Sequence, residues 1–158
     1  MKINNAILAI FILYMFSINT YADSEKDALI HKMLTQVDLA IEKKDANTVA
    51  KYLDDNIHIV MNLTMSGQTQ LLEFTKDEYM KTLKDGWAVT EEYTYTRDKV
   101  HIEYIGNGNK AVVTATVYEL SVVAGRPMAA LSQEKMLVEF RNNEPIVVNL
   151  TANTDVRM

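Results

Sequence analysis

Histidine is rare and cysteine absent in this sequence, which narrows the chemistry. There are three histidines and no cysteine. Thiolate nucleophiles, disulfides and cysteine-held zinc are therefore excluded. His58 and His101 fall in β-rich stretches, where an imidazole facing a pocket can act as a proton shuttle. The competing reading makes both of them exposed or hydrogen-bonded strand residues, as polar residues on a half-solvated strand commonly are. His31 belongs to the polar side of a helix. Glu119 stands inside the apolar stretch Tyr118-Glu119-Leu120; burial there raises a carboxyl's pKa and makes it an acid–base candidate, while exposure or cross-strand pairing leaves it inert. The remaining carboxylates are dispersed, so no metal site and no cofactor is expected.

Composition supports one ordinary domain: 158 residues, 48% hydrophobic and 23% charged, with five glycines and two prolines. No repeat or low-complexity tract divides the chain. The formal charge of −5 and the lack of a basic stripe argue against nucleic acid, whose binding relies on releasing cations from phosphates. Lys2, the apolar run over residues 6–18 and the small residues around Ala22 form an export-leader pattern. The apolar run is shorter than the ~20 residues a spanning helix needs. Cleavage after Ala22 is expected, leaving residues 23–158 as one periplasmic or secreted domain without a membrane attachment.

The elements that must position these groups follow from periodicity. Ile30, Met33, Leu34, Val37 and Ile41 recur at helical spacing behind a capping sequence at Ser24-Glu25-Lys26-Asp27, leaving Lys32, Asp38 and Glu42 to water. Asp45 caps a second, shorter helix that Asp54-Asp55-Asn56 ends. Residues 57–64 and 69–74 read as a hairpin. Thr75-Lys76-Asp77-Glu78 forms a capping box for a third helix, which Gly86 is expected to close. Residues 92–105, 110–124, 128–140 and 145–152 are β-branched and aromatic runs separated by turn residues, and residues 154–158 are expected to fray. The reading is an α+β fold: a curved, mixed or antiparallel sheet of about six strands wrapped on three helices. Both parities of the fourth strand carry apolar residues, so both sheet faces need cover. The helices can supply only one, and a homodimer through the other sheet face is expected.

This order of elements resembles the nuclear-transport-factor-2-like superfamily of cone-shaped α+β domains. The resemblance rests on Tyr52-Leu53-Asp54-Asp55-Asn56-Ile57-His58-Ile59, on Phe74-Thr75-Lys76-Asp77-Glu78-Tyr79 and on residues 135–143, from Lys135 to Asn143. It implies a cavity between the sheet and the helices, lined by Val37, Ile41, Tyr52, His58, Trp87, Tyr118 and Asn149. A one-residue error in strand register would reverse the strand members of that set. The superfamily's dehydratases pair a histidine with tyrosines, which here points to His58 or His101 with Tyr93, Tyr95 or Tyr118. Its epoxide hydrolases use an aspartate–arginine–aspartate arrangement, to which Arg97, Asp98 and Arg126 cannot be assigned from sequence. The same scaffold serves enzymes and binding modules, so topology leaves function open. The first expectation is a non-catalytic exported domain that binds a small apolar ligand or a protein. The alternative is a cofactor-free lyase or isomerase using a histidine–tyrosine pair, with His58, His101, Tyr118 and Glu119 as its candidates.

Overall fold

The structure, a computed structural model, describes the backbone from Asn5 and the side chains from Ser24 onward. The export leader expected over residues 1–22 lies outside these fully described residues. Among the described residues no helix is long and apolar enough to cross a membrane.

Three helices and six strands follow in the order α1 (Asn5–Glu42), α2 (Ala46–Lys51), β1 (Leu53–Met65), β2 (Gln68–Phe74), α3 (Lys76–Ala88), β3 (Thr90–Ile105), β4 (Lys110–Val123), β5 (Arg126–Arg141) and β6 (Glu144–Arg157). The strands form one sheet in the order β2-β1-β6-β5-β4-β3. Every neighbouring pair is antiparallel except β1 and β6, which run parallel. A mixed sheet therefore brings the last strand back beside the first.

The helices are held as their sequences require. The Asp45 carboxylate accepts from the Thr48 amide at the start of α2, which satisfies a donor that helix geometry leaves free. Thr75 and Glu78 form a reciprocal capping box on α3. Ile30, Met33, Leu34 and Ile41 of α1 are buried together with Ile57, Ile59, Val113, Val117, Val138 and Val147 of the sheet. The core thus lies between α1–α3 and the concave sheet face.

Four boundary expectations need correction. Ser24-Glu25-Lys26-Asp27 caps no helix start, because α1 runs through these residues without interruption. Gly86 lies inside α3, which runs to Ala88 and ends on Val89, so no left-handed glycine closes that helix. Asp54 belongs to β1, not to a helix terminus. The chain end does not fray at 154: β6 extends to Arg157, and its register with β5 continues to Ala129 opposite Arg157. Paired backbone groups hold a segment that side-chain composition alone makes look loose.

Candidate functional site

A cavity of about 250 Å³ lies between the helices and the concave sheet face. Its helix side is largely apolar, with Met33, Leu34, Val37 and Ile41 of α1 and Leu83 of α3, but Tyr79 and Thr82 of α3 bring hydroxyls to it. On the sheet side Tyr93, Tyr95, Arg97, Glu119, Ser132 and Glu134 reach into it. These positions follow from strand alternation: residues 93, 95 and 97 share one face of β3, Glu119 follows Val113, Ala115 and Val117 on the inward parity of β4, and Glu134 lies between Ser132 and Met136 on β5.

Arg97 organises the polar side of the cavity. Only 5% of its side chain is exposed, and each arm of the guanidinium is used. Nε donates to Asp38 Oδ1 at 2.9 Å, Nη1 to Glu134 Oε2 at 2.6 Å and Nη2 to the Tyr95 hydroxyl at 2.5 Å. A planar fork suits such divergent acceptors where a lysine would not. Burial pulls the guanidinium's pKa down, but Glu134, Tyr95 and Asp38 outweigh it and hold it above its usual value. Burial likewise pushes the Asp38 carboxyl up, against the pull of Arg97. Helical periodicity assigns Asp38 to water; the buried cation opposite draws it inward instead.

A second pair stands beside this cluster. The Tyr93 hydroxyl donates to Glu119 Oε2 at 2.5 Å, and the Trp87 side chain lies near enough to temper the rise in its pKa. Burial raises the Glu119 pKa; the Tyr93 bond partly opposes that rise, and the charge of Glu134 adds to it. Burial also raises the Tyr79 and Tyr93 phenols, and nearby carboxylates reinforce the effect. The arrangement is a carboxylate base in a largely apolar cavity, surrounded by phenols that remain protonated. Such a base is poorly solvated and moved toward neutral pH, as proton abstraction requires.

The residues singled out from sequence are distributed unevenly around this cavity. Val37, Ile41, Tyr52 and Glu119 line it. Trp87 is buried and supports Tyr93 from behind. The structure places His58, His101, Tyr118 and Asn149 elsewhere. His58 lies between the buried Ile57 and Ile59, so it points outward and meets Glu73 at 3.4 Å. Tyr118 is the neighbour of inward Glu119 and therefore stands on the opposite face, 43% exposed. A bulge decides His101. Asp98 pairs with Thr116 but His101 with Thr114, leaving one extra residue on β3, and Lys99 takes a φ of 53° there. Without it, residues 93, 95, 97, 99 and 101 would share a face; with it, Val100, Ile102 and Tyr104 turn inward and His101 is exposed. A similar irregularity between Leu137 and Val138 on β5, opposite Asn149 and Val147 on β6, removes Asn149 from the inner face. The histidine–tyrosine pair therefore does not assemble in the cavity.

Arg97, Asp38, Glu134 and Tyr79 escape sequence reasoning as a group. Their one sequence signal is the alternation Tyr93-Thr94-Tyr95-Thr96-Arg97, which places two phenols and a guanidinium on one strand face. Among the described residues no group of three or more carboxylates and histidines could hold a metal ion.

No protein-family model matches the sequence, and no curated protein matches it in sequence. Solved structures do match in shape. A candidate scytalone dehydratase from Novosphingobium aromaticivorans superposes with a TM-score of 0.73 at 11% identity, over 87% of this chain and 90% of that one. The hexachlorocyclohexane dehydrochlorinase LinA-type3 from Novosphingobium barchaimii gives 0.68 at 10% identity, over 87% and 90%. An NTF2-like protein from Cytophaga hutchinsonii gives 0.62 at 13% identity, over 80% and 96%. The chain has the cone fold of the nuclear-transport-factor-2-like superfamily, and at these identities the likeness concerns the fold.

Proposed function

We propose that this protein is a cofactor-free lyase that removes a proton from carbon in a small, largely apolar and uncharged molecule, with Glu119 as the base. The observation that carries this reading is a carboxylate inside an enclosed cavity, fixed through one oxygen by Tyr93. The other oxygen is left to face a substrate. The cavity, at about 250 Å³, is below the ~300–1,000 Å³ of drug-sized sites, so the substrate is small. Each nitrogen of Arg97 is engaged, by Asp38, Glu134 and Tyr95, and two carboxylates offset its single positive charge, which disfavours an anionic substrate. Its part is to hold Glu134 and Tyr95 in place. Two of the structural neighbours are named for eliminations, a dehydration and a dehydrochlorination, and loss of a proton from carbon is the step such reactions share. Convergent polar groups in the cavity favour this reading over passive binding of an apolar ligand.

A substrate-independent probe tests it. 5-Nitrobenzisoxazole undergoes ring opening when a carboxylate removes its C3 proton, releasing a coloured phenolate. The wild-type protein is expected to accelerate this reaction, E119Q to lose about a hundredfold or more, and the rate to rise with pH through a midpoint above the ordinary carboxylate range. Equal rates for the wild type and E119Q at every pH would remove the proposal.

Two further expectations accompany it. We propose export by residues 1–22, checked by whether the mass of protein recovered from the periplasm begins at Asp23. We also propose a homodimer through the outer sheet face, where Tyr118 and Leu131 pair across strands and Leu120 is 58% exposed. Light scattering on the wild type and L120E is expected to give two copies and one copy respectively.

A further inference from the structure

Besides Tyr93 and Tyr95, two phenols line the cavity, Tyr52 and Tyr79, and Tyr79 is the one close enough to Glu134 and Glu119 to feel their charges. Tyr93 donates to Glu119 and Tyr95 accepts from Arg97, so both of those hydroxyls have protein partners. Tyr79 lines the same cavity, and its hydroxyl has no hydrogen-bond partner among the described residues. No side-chain polar atom among those residues is both fully buried and unpartnered, so this hydroxyl keeps accessible surface on a residue that lines the cavity. Its position is imposed by its own helix. The capping box at Thr75 and Glu78 fixes the first turn of α3, the Tyr79 amide bonds the Thr75 carbonyl at 3.0 Å, and the ring packs on Phe74 with centroids 6.2 Å apart. A capped turn thus holds Tyr79 in the wall of the cavity that Glu119 also lines, near enough to feel its charge. Once a ligand displaces water there, such a hydroxyl is costly unless the ligand supplies the acceptor.

We propose that the Tyr79 hydroxyl is the catalytic acid that receives the leaving oxygen of the substrate, a role that rests on Glu119 acting as base. The substrate class is then a small uncharged molecule with a hydroxyl or ether oxygen β to an activated C–H bond. Glu119 takes the proton from carbon, the C–H electron pair becomes the new C=C bond, and the C–O bond breaks with its electrons going to oxygen. Tyr79 gives its proton to that oxygen, which leaves as water or an alcohol. The proton held by Glu119 then returns to the tyrosinate, and both groups are restored. Burial and the charges of Glu134 and Glu119 keep Tyr79 protonated beforehand. A phenol so held serves a strongly basic oxygen that cannot depart unaided, and a halide has no need of it.

The test compares Y79F with the wild type and E119Q on two probes, 5-nitrobenzisoxazole and unsubstituted benzisoxazole, whose leaving phenolates differ in basicity. Y79F removes only an unbonded hydroxyl, so its melting temperature is expected to match the wild type. Its kcat is expected to fall about a hundredfold on the unsubstituted probe and much less on the nitro probe, with KM changed less than about twofold. Loss of equal size on both probes, or no loss, overturns the assignment while leaving Glu119 as base if E119Q is inactive. A wild type no faster than E119Q instead removes the base, and the acid with it. Should Y79F fail to fold, the wild type alone decides: across substituted benzisoxazoles its rate must depend less steeply on leaving-group pKa than the acetate-catalysed rate does, and an equal slope overturns the proposal.

Discussion

The two faces of the sheet carry similar side-chain types to opposite ends. On the concave face Glu119, Glu134, Tyr93 and Tyr95 are enclosed and bonded to one another or to Arg97. On the convex face His58, His101 and Tyr118 are exposed, and His58 finds only the long contact to Glu73. A carboxylate or phenol changes its acidity when water is withdrawn and partners are fixed. Chemistry in this molecule therefore depends on which face a residue occupies, and one position along a strand separates the two outcomes.

The inner face is most vulnerable at Arg97. R97M leaves Asp38 and Glu134 without their cation in a buried site, and the expected loss is about 3–5 kcal/mol, read as a fall in the urea midpoint. The double change R97M/E134Q is expected to recover part of it, since one buried charge is then gone.

Deleting Lys99 is the next largest perturbation. It removes the extra residue of the β3 bulge, so the segment after it must either turn Val100, Ile102 and Tyr104 outward or strain its pairing with β4. A loss of roughly 2–4 kcal/mol is expected from the core contacts given up, with amide exchange accelerated across residues 100–105. Unchanged exchange there would mean that the bulge does not set which face His101 occupies.

Glu119 distinguishes the enclosed face from the solvated one through pH. Its folded-state pKa lies above the unfolded value, so the folded state binds the proton more tightly. That contribution favours folding below the unfolded pKa and is lost as pH rises from the unfolded value through the folded one. E119Q is therefore expected to be more stable than the wild type above this window, by on the order of 1 kcal/mol. The advantage should shrink as pH falls below the ordinary glutamate range, in thermal melts at constant ionic strength. The same substitution removes activity on the benzisoxazole, separating stability from function at one residue.

The smallest effects belong to the outer face. H58A and H101A are each expected to change stability by less than about 0.5 kcal/mol and to leave the benzisoxazole rate unaltered. A large loss of rate in either would return the histidines to the reaction.

The fold is largely legible in the sequence because its signals are local. The capping box at Thr75-Glu78, the helical spacing from Ile30 to Ile41 and the β-branched runs each identify an element from a short stretch of chain. The cavity's helix wall is legible for the same reason, since Val37 and Ile41 sit on the apolar stripe of one helix. Glu119 is visible as a carboxylate in an apolar run. Tyr118 beside it shows the limit: adjacent strand residues oppose one another, and composition does not say which of the two faces inward.

What the sequence determined by itself is the order of elements, the caps at Asp45 and Thr75, the rarity of histidine and the absence of cysteine. Tertiary structure alone decided which side chains meet. Asp38, Arg97 and Glu134 come from α1, β3 and β5, and nothing short-range joins positions 59 and 37 residues apart. The bulge at Lys99 and the irregular register opposite Asn149 depend on how each strand fits its neighbour. The physical reason is that strand alternation has period two, so a single inserted residue, tolerated by the ladder at small cost, reverses every side chain beyond it.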